Sequence, residues 1–209
     1  MTTYDARIVL FAREPVAGKV KTRLIPTLGA EGARDLYLQL LRRQIAVLAQ
    51  EPPCPAELWV EGDPAHPAFA GFPGALRRQR GADLGERMRR AADDVLARHG
   101  AVVIIGSDCP QLDRDYLCAA LTALAQGEDA VLGPAHDGGY VLIGLRRRAP
   151  AVFAGVEWGS SRVLEQTLAR LRGEGLRHRL LDTLADVDRP EDLALLASCG
   201  IQPRARAQG

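Results

Sequence analysis

The sequence predicts an α/β sandwich built on a largely parallel sheet. Short apolar segments alternate with helical segments along the 209 residues, as in proteins whose helices cover a parallel sheet. The clearest strand spans residues 102–105, four β-branched residues in a row between glycines, which is typical of a strand buried on both faces. This strand leads to Asp108, and Pro110 blocks its continuation. Because open α/β sheets bind ligands at the carboxyl ends of their strands, Asp108 is well placed to hold Mg²⁺ against a phosphate.

Length and composition indicate one domain without a bulk preference for polyanions. The chain is long enough for one substantial core, and 47% of its residues are hydrophobic. The 27 basic and 26 acidic residues give a net charge of +1, which predicts no nucleic-acid partner and no membrane. Four scattered cysteines and the absence of a signal-peptide pattern favour a cytoplasmic protein. We expect one domain over 1–201 and a polar tail over 202–209.

The first half of the chain supplies three strands and two helices before the central strand. The predicted strands are residues 6–11, 57–61 and 75–79, each apolar and bounded by charged residues, proline or glycine. The predicted helices are residues 31–50 and 83–98, where apolar residues recur near a period of 3.6. This alternation of strands with helices predicts parallel pairing.

The second half continues the alternation with one exception. Helices are predicted at 113–125, with Asp113 as its cap, at 161–172 and at 188–198, and strands at 130–133, 140–145 and 177–181. The connection between the strands 130–133 and 140–145 is too short for a crossover helix. We therefore expect at least one antiparallel pair within the sheet.

A basic loop follows the first strand. After Gly18, the cations Lys19, Lys21 and Arg23 alternate, and the loop leads into a helix. Backbone N–H groups at such a glycine-containing turn commonly meet phosphate, and arginine adds a planar fork for two phosphate oxygens. The alternative interpretation is a solvated surface loop, since most basic runs are surface features. The loop is neither a Walker motif nor a dinucleotide-binding GxGxxG motif.

Carboxylates occur at two further places, each with a structural alternative. Asp188 and Glu191 fit a capping box with Pro190 in the first helical turn, and Asp186 precedes them. Such a turn can also offer an oxygen to a metal, because two carboxylates and a diphosphate satisfy Mg²⁺ together with water. Asp137, followed by two glycines, is typical of a tight hairpin turn.

Two other segments are candidates for ligand contacts. Trp158 precedes a helix that Ser160 or Ser161 can cap, and its indole belongs either to the core or to a stacking site for a sugar or base. The segment 79–85, QRGADLG, is either a base-reading loop or a simple helix entry. GxSxG and HExxH are absent, so serine-hydrolase and zinc-protease chemistry find no support in the sequence.

Five motifs occur together in order along nearly the whole chain: FAREPVAGKVKTRL, GSDCPQLD, GPAHDGGYVLIGL, WGSSRVLEQT and DVDRPEDL. This combination resembles the small glycosyltransferase-A-fold family of arsenosugar-biosynthesis-type glycosyltransferases. It is more distantly similar to 2-phospholactate guanylyltransferase and to molybdenum-cofactor nucleotidyltransferases. The resemblance implies a three-layer α/β/α sandwich with a mostly parallel mixed sheet, the nucleotide-diphospho-sugar transferase (GT-A) fold.

The resemblance also implies roles for individual residues, which fall into four groups. Asp108, Asp188 and Asp186 would hold Mg²⁺ or Mn²⁺. Donor phosphates and the base would contact Arg13, Gly18, Lys19, Lys21, Arg23, Gly81 and Gly85. The acceptor would lie against Gly138, Gly139, Tyr140, Trp158 and Ser160. Catalysis would rest on Asp108, Lys21 and Arg23, with Asp137 as a general base.

The implied reaction is transfer from a nucleotide-activated donor to a small-molecule acceptor. The leading hypothesis is glycosyl transfer from a nucleotide-diphospho-sugar, and the alternative is nucleotidyl transfer from a nucleoside triphosphate to a phosphorylated small molecule with release of pyrophosphate. The third hypothesis is a non-catalytic nucleotide-binding module, and a homodimer is compatible with all three. The chain departs from both parent motifs, because Asp108-Cys109-Pro110 replaces Asp-x-Asp and FAREPVAGKVKTR replaces LAGGxGxR.

Overall fold

The computed structural model describes residues 4–50 and 52–202. Of the predicted polar tail, 203–209 lie outside the described residues, so the division into a domain and a tail stays a prediction. No helix in the described part of the chain is both long and apolar enough to span a membrane.

Seven strands form one mixed sheet. They are β1 (Ala6–Arg13), β2 (Ala56–Glu61), β3 (Ala75–Arg78), β4 (Ala101–Ile105), β5 (Ala130–Pro134), β6 (Tyr140–Leu145) and β7 (His178–Leu180). The sheet order is β3-β2-β1-β4-β6-β5-β7. All neighbours pair in parallel except β6, which is antiparallel to both β4 and β5. The predicted mostly parallel sheet and the antiparallel pair are therefore confirmed.

Helices cover both faces of the sheet. The α-helices are α1 (Ile25–Ala49), α2 (Leu84–Leu96), α3 (Arg114–Ala125) and α4 (Val163–Gly173), and 3-10 helices span Thr22–Leu24, Pro67–Phe69, Pro150–Phe153 and Pro190–Cys199. Because side chains alternate along a strand, Leu10 of β1 packs in the cluster with α1 and α3, whereas Val9 packs with α2 and α4. The result is the three-layer α/β/α sandwich that the resemblance implied.

Several predicted boundaries of helices and strands differ from those in the structure. The first helix begins at Ile25 rather than residue 31, and Gly29 with φ 73° forms a kink inside it. The strands β3 and β7 are shorter than predicted, and α4 begins at Val163 with Arg162 at its N-cap. Neither Ser160 nor Ser161 is that cap, although the Ser160 hydroxyl accepts from the Arg162 N–H at 3.2 Å. The last predicted helix, 188–198, is a 3-10 helix that starts two residues later.

The chain reverses its direction of sheet growth beside β1. Successive strands run outward from β1 through β2 to β3, and the chain then returns to place β4 on the other side of β1. In open α/β sheets this switch point leaves a crevice beyond the carboxyl ends of the two strands. Asp108 follows β4 into that crevice, and the basic loop follows β1 into it.

Candidate active site

A cleft of about 500 Å³ opens at the switch point, and we call it the charged cleft. Its lining includes cations from the end of β1 and the basic loop, and carboxylates from three later segments. These charged residues are Arg13, Lys19, Lys21, Arg23, Glu61, Asp108, Asp186 and Asp188. Uncharged residues of the lining include Phe11, Tyr37, Gln79, Leu84 and Tyr140.

Lys21 is the buried cation of this cleft, with 3% of its side chain exposed. Its ammonium donates to the Val187 carbonyl at 2.6 Å and lies 2.9 Å from Asp108 Oδ2 and 4.0 Å from Asp188 Oδ1. Its backbone adopts the left-handed conformation, with φ 49°, which a residue other than glycine rarely does. Such local strain persists only where the surroundings fix it, and here two carboxylates and a carbonyl fix the side chain.

Helix α1 holds the segment that carries Asp108. The Gln44 side chain, which is completely buried, donates to the Cys109 carbonyl at 2.6 Å, and Arg43 Nε donates to the Pro110 carbonyl at 2.6 Å. The same helix carries Tyr37, whose hydroxyl accepts from the Arg13 N–H at 2.7 Å. Both strand ends that flank the cleft are thus fastened to one helix, which limits their movement relative to each other.

The Asp186–Asp188 segment is tied to the Asp108 loop through its backbone. The Val187 N–H donates to the Asp108 carbonyl at 3.0 Å, and the Ala185 N–H donates to Gln111 Oε1 at 2.8 Å. The predicted capping box of Asp188 and Glu191 is wrong. Instead Arg189 is the N-cap, and Asp192 accepts from the N–H groups of Asp188 and Arg189 at 2.9 and 2.7 Å.

Because Asp192 does the capping, the Asp188 side chain is available to the cleft. It forms an ion pair with Arg23 and lies 4.0 Å from the ammonium of Lys21, which also contacts Asp108. Burial, together with the nearby carboxylates of Asp137 and Asp108, raises the pKa of Asp186 to about 6. Negative charge is therefore crowded at the point where these segments meet.

The oxygen donors of the charged cleft fit a divalent metal only together with a phosphorylated ligand. Across 4–50 and 52–202, no three His, Cys, Asp or Glu side chains converge to hold a metal by themselves. Mg²⁺ commonly takes one or two protein carboxylates and completes its octahedron with substrate phosphates and water. The carboxylates of Asp108, Asp186 and Asp188 are hard ligands of this kind, so the donor set suits Mg²⁺ or Mn²⁺ bound along with a nucleotide.

A second cavity of about 200 Å³ adjoins the charged cleft, and we call it the apolar cavity. Most of its walls are hydrophobic side chains from β1, β4, β6 and the starts of α2 and α4. The lining is Phe11, Leu84, Met88, Ile104, Ile105, Gly106, Ala135, Asp137, Gly139, Tyr140, Val141, Ile143, Trp158, Gly159, Ser160, Val163 and Asp186. Six residues line both spaces and form the wall that they share: Phe11, Leu84, Gly106, Tyr140, Val141 and Asp186.

The predicted site residues are distributed over these two spaces. Arg13, Lys19, Lys21 and Arg23 line the charged cleft with Asp108, Asp186 and Asp188. Asp137, Gly139, Tyr140, Trp158 and Ser160 line the apolar cavity. The predicted glycines Gly18, Gly81, Gly85 and Gly138 line neither space, although Leu84 beside Gly85 lines both.

Two of those glycines instead allow close packing behind the site. A Cβ on Gly85 would lie 2.4 Å from the indole nitrogen of Trp158. A Cβ on Gly138 would lie 2.0 Å from the Ser161 carbonyl oxygen. The tight turn predicted at residues 137–139 is present, since the Gly138 N–H donates to the Ala135 carbonyl and the Gly139 N–H to Asp137 Oδ1.

Sequence reasoning missed Tyr37, Met88 and Phe11 as site residues. Met88 and Phe11 look like ordinary core positions in the sequence, and Tyr37 lies on a helix predicted for packing alone. Phe11 was detectable in principle, because it stands near the carboxyl end of the first strand, where ligands bind.

The mostly parallel seven-stranded sheet, with a cleft at its switch point, has the fold of the nucleotide-diphospho-sugar transferases. A crystal structure from Desulfovibrio desulfuricans G20, provisionally named a nucleotide-diphospho-sugar transferase, is 35% identical with a TM-score of 0.84. It is matched over 93% of this chain and 87% of that one. Residues 44–160 match the family described as "Uncharacterized protein conserved in bacteria (DUF2064)", and the chain belongs to that family.

Two further similarities come from named transferases. Phosphoenolpyruvate guanylyltransferase of Streptosporangium roseum is 33% identical over 151 residues, which are 71% of this chain and 66% of that protein, just under two thirds of its length. Glucosyl-3-phosphoglycerate synthase of Mycobacterium tuberculosis, in complex with Mn²⁺, UDP-glucose and phosphoglyceric acid, shares the fold. It has 13% identity and a TM-score of 0.56, over 94% of this chain and 80% of that chain. The names of the Desulfovibrio and Streptosporangium proteins agree with the class predicted from the sequence, transferases that use a nucleotide-activated donor.

Proposed function

We propose that this protein transfers a sugar from a nucleotide-diphospho-sugar to a small-molecule acceptor, with the donor diphosphate in the charged cleft. One observation carries the proposal: the cations Lys19, Lys21 and Arg23 face the carboxylates Asp108 and Asp188 across one crevice at the strand ends. A diphosphate has the charge to bind these cations and to share a divalent metal with these carboxylates.

The residues of the basic loop divide the work of holding the donor. Lys21 is fixed by its burial and provides a positioned charge, whereas Lys19 and Arg23 are exposed and can reach a ligand that enters from solvent. Arg23 is paired with Asp188 and would present its fork to a phosphate beside that carboxylate. These charges stabilise the negative charge that grows on the departing nucleoside diphosphate.

Asp108 would hold Mg²⁺ or Mn²⁺ together with Asp188 or Asp186. Bound there, the metal supplies positive charge to the diphosphate of the donor. The acceptor hydroxyl then attacks the sugar carbon while the bond from that carbon to the phosphate oxygen breaks. Asp137, which lines the apolar cavity, is placed to accept the hydroxyl proton.

Nucleotidyl transfer is the second candidate, and the guanylyltransferase from Streptosporangium roseum favours it. In that reaction the attack falls on the α-phosphate of a nucleoside triphosphate, and pyrophosphate leaves. The same cations would stabilise that leaving group. The two reactions differ in the product released, which makes them distinguishable by experiment.

We place the protein in the cytoplasm, as its free cysteines allow.

The test is a panel of nucleotide-sugars and nucleoside triphosphates, each with and without Mg²⁺. A bound ligand at 100 times its Kd stabilises the fold by about 2.7 kcal/mol, which shifts the melting temperature visibly. We expect a Mg²⁺-dependent shift with one nucleotide-sugar and, on adding acceptors, release of nucleoside diphosphate. Release of pyrophosphate from a triphosphate would replace the proposal with nucleotidyl transfer.

Asp108→Asn and Asp115→Asn form the matched pair of variants for this test. Asp108 faces Lys21 in the cleft, whereas Asp115 is a highly exposed residue of α3 outside both spaces. We expect Asp108→Asn to abolish turnover and Asp115→Asn to retain it. Equal nucleotide binding by both variants, with no metal-dependent turnover in the native protein, would leave a non-catalytic nucleotide-binding module.

A further inference from the structure

The apolar cavity is a separate subsite with its own chemistry. It shares six residues with the charged cleft, among them Phe11, Leu84 and Asp186, and extends from there toward Met88 and Trp158. We propose that this cavity receives the acceptor of the transferase, and that it selects an acceptor with an apolar, ring-sized body that carries no phosphate or carboxylate. The inference depends on the proposed function, because only a transferase has an acceptor.

Trp158 supplies a flat wall that is already fixed in place. Its indole packs against the backbone of Gly85 at the start of α2, where no side chain fits. It also meets the ring of Tyr140 edge to face, with centroids 6.4 Å apart and an interplanar angle of 85°. Rings held this way form a preorganised surface, so a ligand that stacks on the wall pays little ordering entropy.

Tyr140 contributes its ring to the cavity and not its hydroxyl. That hydroxyl is buried and is directed at the hydroxyl of Thr167 on α4, which is its hydrogen-bonding neighbour. Thr167 is itself completely buried. With Tyr140 turned inward, the polar groups left for a ligand are those of Ser160, the two carboxylates and the backbone.

The charges of the cavity exclude anions. Asp137 and Asp186 are the charged residues in its described lining, which contains no lysine, arginine or histidine. A phosphate or carboxylate inside would lose its water without gaining a cation, next to charges of the same sign. All four cations that the sequence singled out line the charged cleft instead. The neighbouring Arg162 lies outside the cavity lining and is paired with Glu157.

This division assigns different charges to the two substrates. The anionic donor belongs in the charged cleft, and a neutral or cationic acceptor belongs in the apolar cavity. A phosphorylated acceptor, which nucleotidyl transfer in the form considered above requires, finds no partner there. A nucleobase is the other flat ligand that such a wall can stack, so the experiment must separate it from an acceptor.

The experiment uses three probes that share a phenyl ring and differ in charge: 2-phenylethanol, 2-phenylethylamine and phenyl phosphate. Binding is followed by the fluorescence of Trp158, with Trp158→Phe as the control that retains the buried Trp59. We expect the alcohol and the amine to bind at least about tenfold more tightly than phenyl phosphate, a difference of one decade in Kd. The fluorescence change should be absent in Trp158→Phe.

A charge inserted at the mouth of the cavity provides the second arm. Leu84 is 42% exposed, so Leu84→Arg should fold and should strengthen phenyl phosphate binding by about tenfold. Leu180→Arg is the matched control, because Leu180 is 46% exposed and lies on the edge strand β7 outside the cavity. This control should leave the order of the three probes unchanged.

Three outcomes would overturn the inference. They are phenyl phosphate binding as tightly as the alcohol, a nucleoside that displaces the bound probe, and no binding of any probe up to its solubility limit. Failure of the proposed function is measured separately, by the nucleotide panel. If nucleotides stabilise the protein but phenyl phosphate binds more tightly than the alcohol and the amine, only the inference about the acceptor is wrong. If no nucleotide binds, the proposed function falls and the probe order still tests the cavity.

Discussion

The charged cleft and the apolar cavity share a wall but are built in opposite ways. The cleft is assembled from loops that follow strand ends, and its side chains are held by ion pairs such as that of Lys21 with Asp108. The cavity is lined mostly by core residues such as Met88 and Ile104, which continue the hydrophobic cluster between the sheet and α2. The fold thus places a cleft suited to charged ligands beside a cavity suited to apolar ones. Variants in one of them should have little effect on the other.

The largest effect should come from removing the buried cation of the cleft. Lys21→Met deletes a charge that contacts the Val187 carbonyl and Asp108, and a charge-assisted hydrogen bond contributes roughly 1.5–3 kcal/mol. We expect the Kd for the donor nucleotide to rise by about 100-fold, since about 1.4 kcal/mol corresponds to tenfold. Isothermal titration measures the change.

Lys19→Met is the matched control for that experiment. Lys19 lies in the same loop and lines the same cleft, but it is exposed and no ion pair is recorded for it within 4–50 and 52–202. Exposed charges contribute about 0–1 kcal/mol, so its effect should be a few-fold at most. Equal losses from both variants would show that burial of Lys21 does not set its importance.

The next effect concerns the close packing behind the apolar cavity. Gly138 has φ 87°, its carbonyl accepts from the Leu164 N–H at 2.9 Å, and an added Cβ would meet Ser161. Gly138→Ala should lower the free energy of unfolding by roughly 3 kcal/mol, because overpacking adds to the conformational strain. Gly159→Ala has nearly the same φ, 88°, with open space around the new methyl. Gly159→Ala should therefore lower the free energy of unfolding by only about 1–2 kcal/mol. Denaturant unfolding measures both variants, and similar losses for Gly138→Ala and Gly159→Ala would show that the contact with Ser161 does not matter.

Substitutions at Asp188 and Asp192 should have different consequences, one for turnover and the other for stability. Asp192→Ala removes the side chain that accepts from two backbone N–H groups, and loss of such a cap costs about 1 kcal/mol. Asp188→Asn keeps those bonds and should leave the melting temperature almost unchanged while reducing turnover. The reverse pattern, in which Asp188→Asn destabilises and Asp192→Ala does not, would restore Asp188 as the helix cap.

These two aspartates also show how far sequence reasoning reaches. Local patterns correctly predicted the cap Asp113 and the strand that leads to Asp108. They failed at Asp188, because two spacings compatible with capping lie one residue apart and long-range pairing with Arg23 selects between them. Lys21 shows the same limit, since its burial depends on the Val187 carbonyl 166 residues away. A local pattern contains no information about such a partner.

The last prediction concerns the shared wall and is a dependence of stability on pH. The pKa of Asp186 is about 6 in the folded protein against 3.8 for an ordinary aspartate. The folded state therefore holds the proton more tightly, so the stabilising contribution is complete below pH 3.8 and is lost as the pH rises through about 6. Asp186→Asn keeps a neutral side chain at every pH. In a metal-free buffer its melting temperature should match that of the native protein near pH 4 and exceed it above about pH 7. Asp115→Asn, far from the shared wall, is the control, and its melting temperature should follow that of the native protein at every pH. If Asp186→Asn raised the melting temperature most in acid, charge would not be crowded at that wall.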